Sequence, residues 1–367
     1  MLSLQTFKLY RVGTRDILSE MRKKRALITG ITGQDGSYLA EHLLKEEYDV
    51  WGLIRRTSLE PMLRIEGLVR PSKRIHLVYG NLRDAGTLRA ALLESKPDEI
   101  YNLAAQSDVW VSFKCPDETN EINYHGLGRL AQEAMKLNPK VRIYQASTSE
   151  MFGKTNPPQN ETSPFQPVSP YGEAKLRAHE EFVKGYRDKK GLFICSGFLF
   201  NHESPRRGEH FVTRKITISL AKVKLGLQDF FTLGNLDAKR DWGFAGDYVV
   251  AMHKMLQQKK PEDYVIATGQ SHSVREFVNA AAEAIDMPII WRGKGLKEVA
   301  KTKDGRTVIT VSKEFYRPNE VHHLLGNSHK AQRKLGWKIQ TTFDGLAAMM
   351  AKADYDRLKK FKEAGLI

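Results

Sequence analysis

The chain has 367 residues, 41% of them hydrophobic and 28% charged, which is enough to bury a substantial core in one large domain or two coupled ones. No apolar run approaches the roughly 18 residues that span a bilayer, and two isolated cysteines, Cys115 and Cys195, give neither a disulfide framework nor a zinc spacing, so a cytoplasmic, reducing compartment is expected. The formal net charge of +15 calls for an anionic partner, but the basic residues are scattered over 21–25, Arg55–Arg56, Lys189–Lys190 and 206–215 without a nucleic-acid-reading pattern, which favours a phosphate-bearing small molecule over nucleic acid.

Residues 1–21 read as an N-terminal extension that lacks the apolar stretch of a secretory signal, with Met21 an alternative start. From there short apolar runs alternate with longer amphipathic ones. Strands are expected at 25–29, 50–54, 74–79, 99–103, 141–145 and 193–198, and helices at 38–46, 87–93, 127–135 and 171–186. Such alternation implies parallel strands joined by right-handed crossovers, hence an α/β fold of the Rossmann type with a doubly wound parallel sheet. After residue 200 the rhythm changes. A basic, loop-rich segment (201–238) carries one helix at 212–225, a helix (247–256) and a strand (264–268) follow, and helices at 274–284, 328–334 and 343–353 flank a lysine-rich stretch at 293–306. The expected division is a dinucleotide-binding domain of residues 22–200 plus about 239–270. A smaller interleaved α/β lobe, 201–238 plus about 271–367, would cover the carboxyl edge of the sheet.

Gly30, Gly33 and Gly36 form GxxGxxG directly between the first strand and the first helix, with Thr32, Gln34 and Asp35 in the same loop. The glycines allow a tight turn, close approach of backbone to a pyrophosphate and tight helix–strand packing, while the helix N-terminus offers free N–H groups. The second strand ends on Arg55 and Arg56, followed by Ser58. An NAD-preferring site usually places a carboxylate there for the ribose 2′-OH; two guanidinium groups suit a 2′-phosphate instead, so the cofactor is expected to be NADP. Asn81 and Leu82 would meet the adenine, and Leu103, Ala105 and Ser107 would pass beneath the pyrophosphate and ribose.

Tyr171 and Lys175 stand four apart at the start of a helix, on one face, where an ammonium would lower the phenol's pKa and make it a usable base. The preceding loop contributes Thr148, Ser149 and Glu150. Thr148 can hold an alcohol or ketone oxygen. Glu150 would point to the same side if the segment is extended, and it supplies a second base that a simple dehydrogenase does not need. His322, His323 and His329 form no metal pattern, and no metal is expected.

At these motifs the chain resembles the GDP-mannose 4,6-dehydratases, members of the extended short-chain dehydrogenase/reductase group, from about residue 25 to 353. The likeness is strongest at 26–41, 144–153, 164–175, FNHESPRRGEHFVTRKIT (200–217), LDAKRDWGFAGDYV (236–249) and FYRPNEVHHLLG (315–326). The resemblance implies oxidation at C4 of GDP-mannose by NADP, removal of the C5 proton by Glu150, loss of water from C6 and return of the hydride to C6. It also implies contacts of Asn201 and Lys215 with sugar and phosphates, Arg240 with the diphosphate, and Arg317 and Glu320 with the nucleoside. His202 and Arg207 would lie near the cofactor, and the assembly would be a homodimer or homotetramer, the latter through the loop 55–70. The chain departs from the family pattern at Asn81, Asp108, Glu118, Gly172, Glu173, Phe244 and Gly246. Competing readings are another nucleotide-sugar 4,6-dehydratase, an epimerase or reductase on the same scaffold, which has no use for Glu150, and a non-catalytic NADP sensor, which has none for Tyr171 and Lys175.

Overall fold

The computed structural model describes residues 22–57, 62–70, 72–315 and 323–367. Its centre is a seven-stranded sheet of β1 (Arg25–Thr29), β2 (Asp49–Ile54), β3 (Ile75–Tyr79), β4 (Glu99–Asn102), β5 (Arg142–Thr148), β6 (Phe193–Leu199) and the strand Tyr264–Ile266. All neighbours pair in parallel, in the spatial order Tyr264–Ile266, β6, β5, β4, β1, β2, β3. The central strands β1, β4, β5 and β6 are buried along almost their whole length because helices cover both faces of the sheet. The direction of growth reverses between β1 and β4, and a crevice opens there at the carboxyl ends of the strands.

One face of the sheet packs against the helices Gln34–Lys45 and Ala245–Leu256, with Ile28, Leu39, Leu43, Tyr248 and Met252 in the core. The late helix His329–Leu335 adds Ala331 and Leu335 to this same core, and Trp337 closes it, its Nε1–H donating to the Asp247 carbonyl at 2.8 Å. The other face carries the helices Ala85–Ser95, Gly126–Leu137 and Pro170–Ala178 around Leu88, Leu127, Ala131 and Ala174. A separate apolar core lies among the helices Val212–Lys224, Val274–Ala284 and Phe343–Glu363, centred on Ile216, Phe277 and Met350. A four-stranded sheet ordered Ile289–Arg292, Val299–Thr302, Thr307–Val311, Phe231–Leu233 closes it.

Several elements differ from the pattern read in the sequence. The lysine-rich stretch 293–306 is built into that second sheet: Lys301 and Thr302 belong to a strand whose Ala300 is fully buried, and Asp304-Gly305 turns the hairpin with Gly305 at φ +87°. The helix expected at 343–353 runs on to Glu363, because Asp354, which breaks the apolar period, is buried on the guanidinium of Arg214. The helix expected at 171–186 becomes α-helix, a π-helical turn at His179–Lys184, and α-helix again to Lys190. In that turn the Phe182 ring lies against Gly128, where a β-carbon would approach it to 2.5 Å. Among the described residues no helix is long and apolar enough to cross a membrane.

Candidate active site

The crevice at the carboxyl edge of the sheet is a cleft of about 970 Å³ that continues towards the second core, within the size range of ligand pockets. Its inner end is the loop after β1. Gly30 takes φ +74°, and a β-carbon there would sit 2.9 Å from the Ala104 amide nitrogen. At Gly36 a β-carbon would fall 2.3 Å from the Gly30 carbonyl oxygen, so the loop closes this tightly only with hydrogen at both positions. Gly33 is the N-cap of the helix Gln34–Lys45 and lends no side chain to its first amides, which leaves that positive end suited to an anion. Buried Thr29 anchors the floor: its hydroxyl donates to Asn102 Oδ1 at 2.7 Å and accepts from the amides of Leu103 and Ala104, each at 3.1 Å.

The segment after β6 is stitched onto this loop. Gln34 donates to the His202 carbonyl and accepts from the Ser204 hydroxyl, at 3.0 and 2.8 Å. His202 Nε2 lies 2.8 Å from Asp35 Oδ2 and its Nδ1 lies 2.8 Å from the Phe200 carbonyl, so both ring nitrogens face acceptors and the ring is held as imidazolium. Burial is the largest single influence on each partner and opposes ionisation. Their mutual attraction and hydrogen bonding outweigh it, leaving Asp35 below and His202 above their ordinary pKa values.

Beyond the loop lies the reactive cluster. Thr148 ends β5 and caps the short 3-10 turn Ser149–Met151, accepting from the Glu150 amide at 3.2 Å. The segment is therefore not extended after Thr148. Glu150 reaches the cleft through that turn rather than through strand alternation. Ser169 caps the next helix, accepting from the Gly172 amide at 3.1 Å, and Pro170 occupies its first position, which sets Tyr171 and Lys175 over the end of β5. A β-carbon at Gly172 would lie 2.8 Å from the Glu150 carbonyl oxygen, so glycine there permits the close approach of helix and turn.

The expected lowering of the Tyr171 pKa is not found: burial pushes the phenol up to about 12, with the Glu150 carboxylate adding to it and a hydrogen bond with Thr148 opposing it. Lys175 does not supply the counter-effect. Its ammonium donates to the Ala146 carbonyl at 2.7 Å and is 5.9 Å from the Tyr171 ring centre, and burial brings its own pKa down to about 8.

Of the residues singled out in the sequence, Gly30, Thr32, Gly33, Gln34, Asp35, Gly36, Arg55, Asn81, Leu82, Leu103, Ala105 and Ser107 line the inner cleft. Thr148, Ser149, Glu150, Tyr171, Lys175, Asn201, His202, Arg207, Lys215 and Arg240 line its middle and outer parts. Arg56 is exposed and lies outside the lining, while Ser58, Arg317, Glu320 and His322 fall outside the described residues. The Oδ1 atom of Asn201 is shielded from solvent with no hydrogen-bond partner among the described residues, an acceptor suited to a donor on a ligand. The ammonium of Lys215 lies 3.7 Å over the Phe315 ring, and its partial burial lowers its pKa.

The sequence reading missed much of the outer wall. Trp110, His210, Phe211, Gly234 and Phe315 all line it, and a β-carbon at Gly234 would meet the Phe315 carbonyl oxygen at 2.4 Å. Gly234 directly after the β-prone stretch Phe231-Thr232-Leu233 was the available signal. One departure from the family pattern, Asp108, faces this wall, with His210 Nε2 3.5 Å from Asp108 Oδ2.

The family model described as GDP-mannose 4,6 dehydratase matches residues 27–350. The chain is 50% identical over 350 residues to the GDP-mannose 4,6 dehydratase of Drosophila melanogaster, covering 93% of this chain and 88% of the relative. It is 50% identical over 351 residues to the human GDP-mannose 4,6 dehydratase, covering 93% of this chain and 94% of the relative. Among solved structures, a dTDP-glucose 4,6-dehydratase from Streptomyces venezuelae, with NAD and TYD bound, superposes with a TM-score of 0.76 at 22% identity, covering 92% of this chain and 98% of that one. A Thermus thermophilus UDP-glucose 4-epimerase in complex with NAD gives 0.74 at 24% identity, covering 90% and 98%. With the four-residue cluster and the glycine loop in one cleft and the match running almost end to end, the chain belongs to the GDP-mannose 4,6-dehydratase family.

Proposed function

We propose that this protein converts GDP-mannose to GDP-4-keto-6-deoxymannose and water with NADP as a bound, regenerated cofactor. Family membership supports the sugar nucleotide and the reaction. The observation that carries the chemistry is Glu150 sharing the wall of the cleft with Thr148, Tyr171 and Lys175.

The glycine cradle, the first amides of Gln34–Lys45 and the side chains of Asn81 and Ser107 would hold the cofactor, which supplies an acceptor for the hydride of C4 and gives it back at C6. Arg55 in the cleft favours a 2′-phosphate over a bare ribose hydroxyl, with exposed Arg56 close in sequence to assist. Tyr171 accepts the proton of the 4-hydroxyl as the phenolate, and Thr148, already hydrogen-bonded to it, orients the oxygen. The ammonium of Lys175, four residues along the same helix face, favours the phenolate once a substrate oxygen bridges the pair. The resulting 4-ketone acidifies C5–H. Glu150 takes that proton and hands it to the departing C6 hydroxyl, which leaves as water; the proton returned to C5 comes from solvent, so the overall change is loss of one water.

On the substrate side, Lys215 and Arg240 would neutralise the diphosphate and the buried Asn201 amide would bind a sugar hydroxyl. Arg317 and Glu320 remain the proposed contacts for the nucleoside. A homodimer or homotetramer in the cytoplasm, with helices of the sheet region and the loop 55–70 at the contacts, completes the reading; a monomer in sedimentation at micromolar concentration would count against the assembly.

Replacing Glu150 by Gln tests the core of it. The variant should bind NADP and GDP-mannose like the wild type yet form 4-keto product at least about a hundredfold more slowly, the usual scale for a lost acid–base group. Unchanged turnover would remove Glu150 from the mechanism. An Arg55→Ala variant should lose roughly tenfold or more of its affinity for NADP and little for NAD, measured by fluorescence titration; equal losses would mean the 2′-phosphate is read elsewhere.

A further inference from the structure

None of the residues that line the cleft belongs to a second polar cluster, which sits at the amino edge of the sheet. His42 is in the last turn of Gln34–Lys45, and His253 lies on the partner helix Ala245–Leu256. Their rings meet with His42 Nε2 2.9 Å from His253 Nδ1. Glu46, one helical turn beyond His42, adds a carboxylate, and one ligand atom from each of the three falls within 4.8 Å of the others. We propose that His42, Glu46 and His253 bind a single divalent transition cation of the zinc class, at a site separate from the cleft.

The proton arrangement around His253 favours this. Glu99 is buried at 1% exposure and receives hydrogen bonds from Tyr48, Tyr101, Gln257 and the Lys24 ammonium. A carboxylate only accepts, so the Tyr48 hydroxyl proton points to Glu99 Oε1, 3.0 Å away. The Tyr48 oxygen, 3.2 Å from His253 Nε2, must then accept from that ring nitrogen. His253 is thereby held with its proton on Nε2 and its Nδ1 lone pair aimed at His42. A histidine ligand oriented by a hydrogen-bonded chain ending on a carboxylate is the usual outer arrangement of a metal site.

Two imidazoles and one carboxylate suit a borderline cation rather than calcium or magnesium, and exposed Glu46 leaves a side open for water as a fourth ligand. Tetrahedral bonds of about 2.0–2.1 Å place ligand atoms roughly 3.3 Å apart, so the two rings need separate only slightly as Glu46 swings in. The ammonium groups of Lys24, Lys45 and Lys254 face the site and oppose a cation, while the carboxylates of Glu46 and Glu99 offset them. His42 and His253 lie 211 positions apart, which is why no ligand spacing shows in the sequence and why none was expected there.

The test uses the full chain, freed of metal by a chelator and titrated with cobalt(II) and, in competition with a chromogenic chelator, with zinc(II). The expected result is one cation per chain, the intense visible absorption of low-coordinate cobalt, and a rise in Tm on adding zinc. Glu46→Gln, at an exposed position, and His42→Asn should each weaken binding at least tenfold. Tyr48→Phe, which frees the His253 tautomer, should weaken it by about tenfold, with unchanged far-ultraviolet circular dichroism. Failure of the wild type to bind, or equal zinc affinity in the wild type and Glu46→Gln, would overturn the proposal.

Discussion

Lys175 carries its charge at neutral pH while being 2% exposed, so the folded protein pays for that ammonium. Its folded pKa of about 8 lies below the ordinary 10.5, which means the folded state releases the proton first. The penalty is complete below about pH 8, shrinks as pH rises towards 10.5, and is gone above it. Lys175→Met should therefore abolish turnover yet raise stability at pH 7 by on the order of 2 kcal/mol in urea unfolding, with the advantage disappearing near the top of that range. The Ala146 carbonyl would keep the Gln145 side chain as a donor, at 2.9 Å, so the substitution strands no buried acceptor. A destabilised Lys175→Met at pH 7 would show that the ammonium contributes to the fold rather than to chemistry alone.

In the Asp35–His202 pair the two members depend on pH in opposite senses. Asp35 is depressed, so its share of stability is present above the ordinary carboxylate pKa of 3.8 and lost as pH falls through the folded value. His202 is raised from 6.5, so its share is full below that value and lost as pH rises through the folded one. The wild type should thus exceed His202→Asn in stability by roughly 3 kcal/mol near pH 6, the lower end of what breaking a buried pair costs, and by clearly less at pH 9. Thermal unfolding of both proteins across that range measures it; a gap that widens with pH would contradict the ion pair.

At the scale of elements, the sequence shows best where a single physical requirement dominates. The sheet strands and their helices were legible because burial on two faces leaves short, mostly apolar runs, and the glycine loop because two of its three glycines, Gly30 and Gly36, leave no room for a β-carbon. Legibility failed where a polar residue does a buried residue's work. Asp354 ended the apparent period of the last helix ten residues early, and Lys301 disguised a strand whose inward residue is Ala300. The nearest approach of cleft residues from distant segments, such as His210 with Asp108, is tertiary and leaves no local mark. Phe244 and Gly246, noted only as departures from the family pattern, turn out to be one feature. The Phe244 ring packs edge-on against Tyr38 with centres 5.3 Å apart, and a β-carbon at 246 would come within 2.3 Å of it. Gly246→Ala should cost about 1–2 kcal/mol alone, because the ring must leave Tyr38, and much less in a Phe244→Leu background. Additive losses in the double-mutant cycle would mean that the two positions are independent.

Across the whole molecule, the sheet and the second core must hold a fixed relation for Lys215 and Arg240 to face the glycine loop. Asp241 stands at that junction. It follows Lys239–Arg240, which pairs with His272–Ser273, and precedes Trp242–Phe244, which pairs with Asn201–Glu203. Its carboxylate is fully buried and accepts from the Thr268 amide at 2.8 Å, the Thr268 hydroxyl at 2.6 Å, the Gly269 amide at 2.9 Å and the Gly326 amide at 3.2 Å. It thereby ties the end of the sheet strand Tyr264–Ile266 to the returning chain, directly between two cleft-lining residues, Arg240 and Trp242. Asp241→Asn keeps the shape but turns one acceptor oxygen into an NH₂ that faces donors, stranding buried groups at about 1–3 kcal/mol. Because the glycine loop and the end of β5 lie on the sheet side, the expected signature is a lower Tm with NADP affinity nearly kept and GDP-mannose affinity reduced at least tenfold. Calorimetric titration of each ligand separates the two, and equal loss of both would mean that Asp241 supports the fold at large rather than the relation between its parts.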